Sequence, residues 1–338
     1  MPRRATIRDL ADETGVSVAT VSRVLNGHTN VSAQTRDLVL RAAHKLGAHG
    51  PRARSGPAAG GDTVFVRCPY VLSDYFGLIV SSIVETVELH GMGVVLNAGK
   101  SAAGRSPLPT LPERAGVRGA VLILPPEPAE DLAALRDRQF PFVVVDPRTA
   151  PPRDVVAVSS AHFAGARSVM THLVGLGHRR IGIIGGPREW SVSDGRQAGY
   201  IAPLVDVGAL PPLELLRFVT EPNEEQGHAA AGELLDLPSP PTALACFNDK
   251  IALGALRAAA ERGLRVPADL SVAGFDDIEV SRATSPMLTT VRQPLAELGR
   301  MAVTMLLRMM GGHELDALHV ELATDLVVRG STAPPRAL

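Results

Sequence analysis

From residue 64 onward the chain alternates short, continuous apolar runs with longer segments of helical periodicity, and no other feature restricts its fold as much. The runs are Val64–Val66, Val94–Leu96, Ala120–Leu124, Phe142–Val145, Ile181–Ile184, Leu244–Phe247 and Val272–Phe275. The helical segments are Tyr75–His90, Ala161–Leu176, Glu224–Leu235, Lys250–Arg262 and Leu295–Met310. A strand that reads as an unbroken apolar run is covered on both faces, as in a parallel sheet flanked by helices. Strands and helices in alternation predict such sheets, and two sets of units predict two lobes. Aromatic residues make up only 4% of the chain, so the cores have to be built from Ala, Val, Leu and Ile.

In sheets of this kind a ligand binds beyond the carboxyl ends of the strands. Polar residues follow several of the predicted strands at that end. Asp146 follows Phe142–Val145, Asn248 and Asp249 follow Leu244–Phe247, and Asp276 and Asp277 follow Val272–Phe275. Arg196 follows the Ile181 strand after a loop. Carboxylates, an amide and a guanidinium converging on one cleft hold many hydroxyls in fixed directions, as a sugar or nucleoside ring requires. Asp276, Asn248 and Arg196 are assigned to this pocket, and Asp249 and Asp277 to capping the helices that follow.

The charge is unevenly spread. Residues 1–57 carry nine Lys and Arg against four Asp and Glu, whereas the remainder carries 25 against 31. A basic head on an acidic body predicts a polyanionic partner for the head alone. In the head, Thr6 caps a first helix with Ile7, Leu10 and Ala11 on its apolar face. Gly15 makes a tight turn, and Ser17 caps a second helix with Val21, Val24 and Leu25 buried. Ser32 caps a third, with Val39, Leu40 and Ala43 closing the core. This pattern matches a helix-turn-helix whose second helix lies in the major groove. Ser17, Thr20 and Ser22 offer hydroxyls to phosphates, Arg23 reaches a guanine or a phosphate, and Val18 and Ala19 contact thymine methyls. A helical hairpin that only packs has the same periodicity; the basic charge and the serine-threonine face favour DNA.

Ala5–Ala11 and Gly15–Asn26 closely resemble the head of the LacI/GalR repressor family. The resemblance continues through the body. It is carried by His172-Leu173, Gly177–Ile181, Gly185-Gly186-Pro187, Ser193 with Arg196–Tyr200, Asn248–Gly254, Val272–Asp277, and Leu288–Val291 with Gln293-Pro294. It implies an N-terminal all-α helix-turn-helix head on a two-lobed, periplasmic-binding-protein-like α/β body with parallel sheets. The implied domains are the head at 1–50, a hinge at 51–62, one lobe at 63–160 plus 292–320, and the other at 161–291 plus 321–332. In the head the resemblance implies base contacts from Val18, Ala19 and Arg23, and backbone contacts from Ser17, Thr20, Ser22 and Asn26. It implies effector contacts from Asp146, Ser193, Arg196, Asn248 and Asp276, with Phe76 and Trp190 as an apolar stacking face. The implied partners are a palindromic double-stranded DNA operator, a second copy of the chain, and a small effector, a sugar or sugar derivative. Gly177–Arg180 is read as a structural turn from helix to strand, so His178 is assigned neither a metal nor a reaction.

The chain departs from the family in the linker. Residues 47–62 are rich in Gly, Pro and Ala, where the family carries a hinge helix ending in Ala-Arg-Ser-Leu, whose leucine enters the minor groove. Here Ala53-Arg54-Ser55 is followed by Gly56-Pro57, and Gly50-Pro51 interrupts the stretch before it. Arg52 and Arg54 contact phosphates or a narrow minor groove on one reading, and belong to a solvated tether on the other. Further departures are Ser73–Phe76 in place of Asn-Pro-Phe-Phe, Ser160-Ala161 in place of Asp-Asn, and the region of Pro222, where an aromatic is frequent. These bear on which ligand binds.

Several classes are disfavoured. The two cysteines, Cys68 and Cys246, sit in apolar runs and read as unrelated reduced thiols. The start of the chain lacks a signal-peptide pattern, and no stretch approaches about eighteen apolar residues, so a cytoplasmic protein without membrane contact is expected. No Walker loop, GxGxxG, HExxH or CxxC motif is present, so neither an enzyme nor a cofactor is expected. The rival reading is a cytosolic sugar-binding or sugar-converting protein without a DNA role, which leaves the basic head unexplained.

Overall fold

The computed structural model describes residues 62–99, 102 and 104–336, together with residues 11, 13–17, 20, 21, 24, 32, 35, 38, 39 and 42 of the head. The chain divides into two compact units, Met1–Gly61 and Asp62–Leu338.

In the first unit two of the three expected caps, Ser17 and Ser32, are in place. Gly15 leaves the first helix at φ +68°, a conformation that costs glycine little, and its N–H donates to Ala11 O at 2.9 Å. Ser17 Oγ accepts from Thr20 N at 3.2 Å, and Ser32 Oγ accepts from Thr35 N at 3.2 Å. Both are N-cap bonds that satisfy otherwise orphaned helix donors. Ala11, Val21, Val24, Val39 and Ala42 form a common core. Thr6, Ile7, Leu10, Leu25, Leu40 and Ala43 lie outside the described residues.

The second unit begins β1 (Thr63–Cys68), α1 (Asp74–Leu89), β2 (Gly93–Ala98), β3 (Val117–Ile123), α2 (Ala129–Asp137), β4 (Phe142–Val145), β5 (Ala157–Ser160) and α3 (His162–Gly175). It continues β6 (Ile181–Gly185), α4 (Ser191–Asp206), β7 (Leu216–Phe218), α5 (Glu224–Leu235), β8 (Ala243–Cys246), α6 (Asp249–Glu261), β9 (Ser271–Ala273) and α7 (Val280–Ala283). It ends β10 (Thr290–Arg292), α8 (Leu295–Met310), β11 (His319–Leu322) and β12 (Asp325–Val327). The first lobe is a parallel sheet in the order β11-β5-β4-β3-β1-β2, and the second a parallel sheet in the order β7-β6-β8-β9. An antiparallel pair, β10 with β12, accompanies the passage between them.

Each sheet is covered on both faces, which is why its strands read as apolar runs. In the first lobe one face packs on α1 and α8 through Ile79, Ile83, Val87, Leu298, Ala302 and Leu306. The other face packs on α2 through Leu132 and Leu135. In the second lobe α5 and α6 cover one face and α3 and α4 the other.

The chain passes between lobes at Ser160–His162, at Arg292–Leu295 and at Leu322–Asp325. The expected boundary at 320/321 is corrected by this topology. Residues 319–322 form β11, hydrogen-bonded in parallel to β5, so they belong wholly to the first lobe. The loop expected between the Ile181 strand and Arg196 is present at residues 186–190, and Arg196 itself lies on α4, a helix whose pattern is broken by Gly195, Gly199 and Pro203.

Helices α5 and α6 approach closely because of two facing glycines. A Cβ at Gly254 would lie 2.2 Å from Glu224 O, and one at Gly227 would lie 2.6 Å from Ile251 Cα. This contact brings together the two N-caps, Asn223 and Asn248, at the cleft end of the lobe.

Candidate functional site

A cleft of about 550 Å³ lies between the carboxyl ends of the two sheets. Four of the five non-glycine residues with positive φ among the described residues, Leu124, Asp146, Asp276 and Asp277, follow strands at this end. Such conformations are held only where surrounding structure determines them, and they concentrate at binding sites.

The cleft has an aromatic side and a polar side. Tyr70 stacks on Phe76 with centroids 4.7 Å apart, and Trp190 meets Tyr70 edge-on at 6.3 Å. Arg148 reaches from the first lobe to lie over the Trp190 ring at 5.7 Å and to pair with Glu189 at 3.2 Å. Lys250 Nζ, from the second lobe, donates to Ser73 Oγ of the first at 3.1 Å. The cleft is thus bridged between lobes by two contacts, one from Arg148 and one from Lys250.

On the polar side Arg196 is clamped between the rings of Phe247 and Phe275, its guanidinium carbon 4.3 and 3.8 Å from their centroids. It donates from Nη1 to Phe247 O at 2.5 Å and from Nε to His162 Nδ1 at 3.3 Å, and its Nη2 lies 3.6 Å from Asp276 Oδ1. Asp276 also accepts from Gln293 Nε2 at 2.6 Å. Asp146 accepts from Tyr75 Oη at 2.5 Å, from the His162 ring at 3.0 Å, and from Ser160 N at 3.2 Å.

The two acids differ in their electrostatics. Burial pushes the Asp276 carboxyl up to about 6, against the opposing pull of Arg196 and Gln293. Burial acts in the same sense on Asp146, but His162, the Tyr75 hydroxyl and Arg196 outweigh it and hold that carboxyl below its ordinary value. Burial and the facing Asp146 raise the Tyr75 hydroxyl well above the usual phenol range.

Six of the seven expected effector contacts, Phe76, Asp146, Trp190, Arg196, Asn248 and Asp276, line this cleft. Ser193 does not: it is buried one turn before Arg196 on α4, and its hydroxyl has no partner. Asn248 lines the cleft as expected and takes a second role, while the role expected of Asp249 is corrected. Asn248 Oδ1 accepts from Ile251 N at 2.9 Å, so it caps α6 as well as lining the cleft. Asp249 caps nothing; its carboxylate takes Thr290 Oγ1 at 2.5 Å and Ile278 N at 3.0 Å, tying α6 to the connection between lobes. Asp277 likewise takes Arg329, Arg292 and Ser281 in place of a helix terminus, and these partners overcome burial to hold its carboxyl low. His178 is structural, bonded to Thr242, Ser271 and Ala333 O.

The residue-by-residue reading did not single out Tyr70, Tyr75, His162, Phe247 and Lys250, all of which line the cleft. In the head, Ser17 and Thr20 present hydroxyls 2.9 Å apart, beside the cap bond. Val18, Ala19, Ser22, Arg23, Asn26, Arg52 and Arg54 lie outside the described residues.

Comparison with known proteins agrees with this architecture. Residues 6–49 match a family model described as bacterial regulatory proteins, lacI family, and residues 170–332 match one described as a periplasmic binding protein-like domain. The HTH-type transcriptional repressor CytR of Escherichia coli (strain K12) is 34% identical over 332 residues, covering 97% of this chain and 96% of that one. A transcriptional regulator CelR–cellobiose complex superposes with a TM-score of 0.73 at 30% identity, covering 97% of this chain and 100% of the other. A lac repressor dimer bound to operator and the anti-inducer ONPF superposes with a TM-score of 0.71 at 29% identity, covering 98% and 100%. With its helix-turn-helix head, its two parallel sheets and these relatives along nearly its whole length, the chain belongs to the lacI family of bacterial regulatory proteins.

Proposed function

We infer that this chain is a sequence-specific DNA-binding transcriptional regulator whose operator affinity is set by a small, sugar-like effector bound between the lobes. The observation that carries this reading is the cleft: an aromatic side facing a fixed array of carboxylate, guanidinium and amide groups, in a chain whose residues 6–49 match a DNA-binding head. A hydroxylated ring suits that combination, since its faces are apolar and its edge both donates and accepts. Trp190 Nε1 is buried on the cleft wall without a hydrogen-bond partner, and an acceptor on a ligand would relieve that cost.

The chain acts as a homodimer in this reading. Two heads match half-sites roughly 34–36 Å apart or multiples of that, so the operator is palindromic. The lobes are joined by three short passages, and a change in the angle between them alters the relation of the heads. The effector shifts operator affinity only as far as it binds the two lobe arrangements unequally.

No catalytic role is assigned. Burial pushes the Cys68 thiol up to about 11 and the Cys246 thiol higher still, which argues against either as a nucleophile. Among the described residues no helix is long and apolar enough to cross a membrane. A regulator that must reach operator DNA is assigned to the cytoplasm.

A thermal-shift screen of sugars, polyols and nucleosides tests the effector. A ligand at about 100 times its Kd stabilises the native state by about 2.7 kcal/mol, which raises the melting temperature measurably. A screen in which no member of these classes raises it would contradict the reading.

A further inference from the structure

We propose that His162 is a proton-sensitive positioning residue that holds the Arg196 guanidinium in the cleft only while its imidazole is neutral. The hydrogen-bond network fixes the tautomer. A guanidinium can only donate, so His162 Nδ1, 3.3 Å from Arg196 Nε, is an acceptor. The ring hydrogen then sits on Nε2 and is donated to Asp146 Oδ1 at 3.0 Å. A line of hydrogen bonds therefore runs from Tyr75 on α1, through Asp146 and one imidazole, to Arg196 on α4. His162 is the first residue of α3, directly after the chain leaves the first lobe, so this imidazole occupies the joint itself.

Protonation acts on the two ends of the ring oppositely. The Nε2 bond to Asp146 becomes charge-assisted and stronger. Nδ1 loses its lone pair, cannot accept from Arg196, and becomes a second cation beside the guanidinium. Arg196 then keeps the Phe247 carbonyl, the Asp276 carboxylate and its two aromatic faces, but loses the imidazole through which it is linked to Asp146 of the first lobe. The charged and titratable groups around the ring are Asp146 and Tyr75 from the first lobe, Arg196 from α4, and Asp276 after β9, with Lys250 of α6 acting on Asp276. The ring of Phe275 lies 6.0 Å away. Of these, the Asp276 carboxyl is pushed up to about 6 by burial, so the test has to separate its protonation from that of the ring.

The molecule contains its own reporter. Trp190 is the only tryptophan and lines the same cleft, 6.5 Å from Phe247, the ring that holds Arg196. The experiment follows tryptophan emission of the intact protein from about pH 8 to about pH 5 for wild type, His162→Gln and Asp276→Asn. Glutamine keeps an N–H for Asp146 and an oxygen for Arg196 but cannot titrate. His162→Asn serves the same purpose if the longer amide disturbs the fold, which far-UV circular dichroism reads. The expected result is a titration of emission in wild type that persists in Asp276→Asn and is lost in the His162 amide variant. A titration that survives in the amide variant, one lost only in Asp276→Asn, or none in wild type would overturn the proposal. Weaker effector binding at acid pH is a consequence that rests on the effector reading above. The fluorescence test needs no effector, so either can fail without the other.

Discussion

Removing the guanidinium of Arg196 leaves Asp276 without its cation, His162 Nδ1 without its donor, and the faces of Phe247 and Phe275 without the group between them. Arg196→Ala should therefore abolish the thermal shift given by any effector while leaving operator binding intact, and unchanged effector affinity by calorimetry would remove Arg196 from the site. Asp276 makes a prediction about pH. Its carboxyl is pushed up to about 6 by burial, above an unfolded value of about 4. Its contribution to stability is then fully present below about pH 4 and is lost as pH rises through about 6. The unfolding free energy of wild type minus that of Asp276→Asn should fall across this window, and a difference that is flat or rises with pH would contradict the assignment. Asp146, Asn248 and Asp276 were legible in the sequence because each directly follows an apolar strand. Tyr75, His162 and Lys250 were not, because they sit in the first turns of helices, where polar and aromatic residues are ordinary.

The helices and strands that build the cleft follow from periodicity wherever the pattern is long enough to show. Helix α1 buries Ile79, Ile83 and Val87 at intervals of four, and it was read almost to its ends. Helix α4 was missed, although it carries Arg196, because Gly195, Gly199 and Pro203 lower its apparent propensity while close packing on α3 keeps it helical. A Cβ at Gly199 would lie 2.4 Å from Phe163 O, so its glycine marks a close helix contact. The strands β5, β7, β10, β11 and β12 lack a continuous apolar run, because each is only three or four residues long: β5 and β10 are largely buried but interrupted by Ser or Thr, and β7, β11 and β12 are partly exposed. The α5–α6 contact yields a test at this scale. Gly254→Ala drives a methyl group into the backbone of Glu224 and His228, and overpacking of this kind costs about 1–3 kcal/mol. Chemical denaturation should show that loss, and an unchanged or raised midpoint would mean the two helices separate freely.

For the whole molecule, a basic amino-terminal segment on an acidic body points to the end that meets DNA, and residues 6–49 of that end match the lacI family model. The lobes were legible from the alternation of strands and helices. The third passage between them was misplaced by two residues, because β11 is defined by pairing with β5, a partner far away in sequence. Effector identity was not legible, since it depends on how the aromatic side of the cleft faces the polar array.

The central claim is that one ligand-gated chain both finds a DNA site and releases or tightens on it. It is tested most directly by incubating the intact protein with fragmented genomic DNA, with and without a ligand that raises its melting temperature, and sequencing the retained fragments. The expected result is enrichment of fragments sharing a palindromic site, to an extent that the ligand changes. Retention of random duplex to the same extent, with and without ligand, would contradict it.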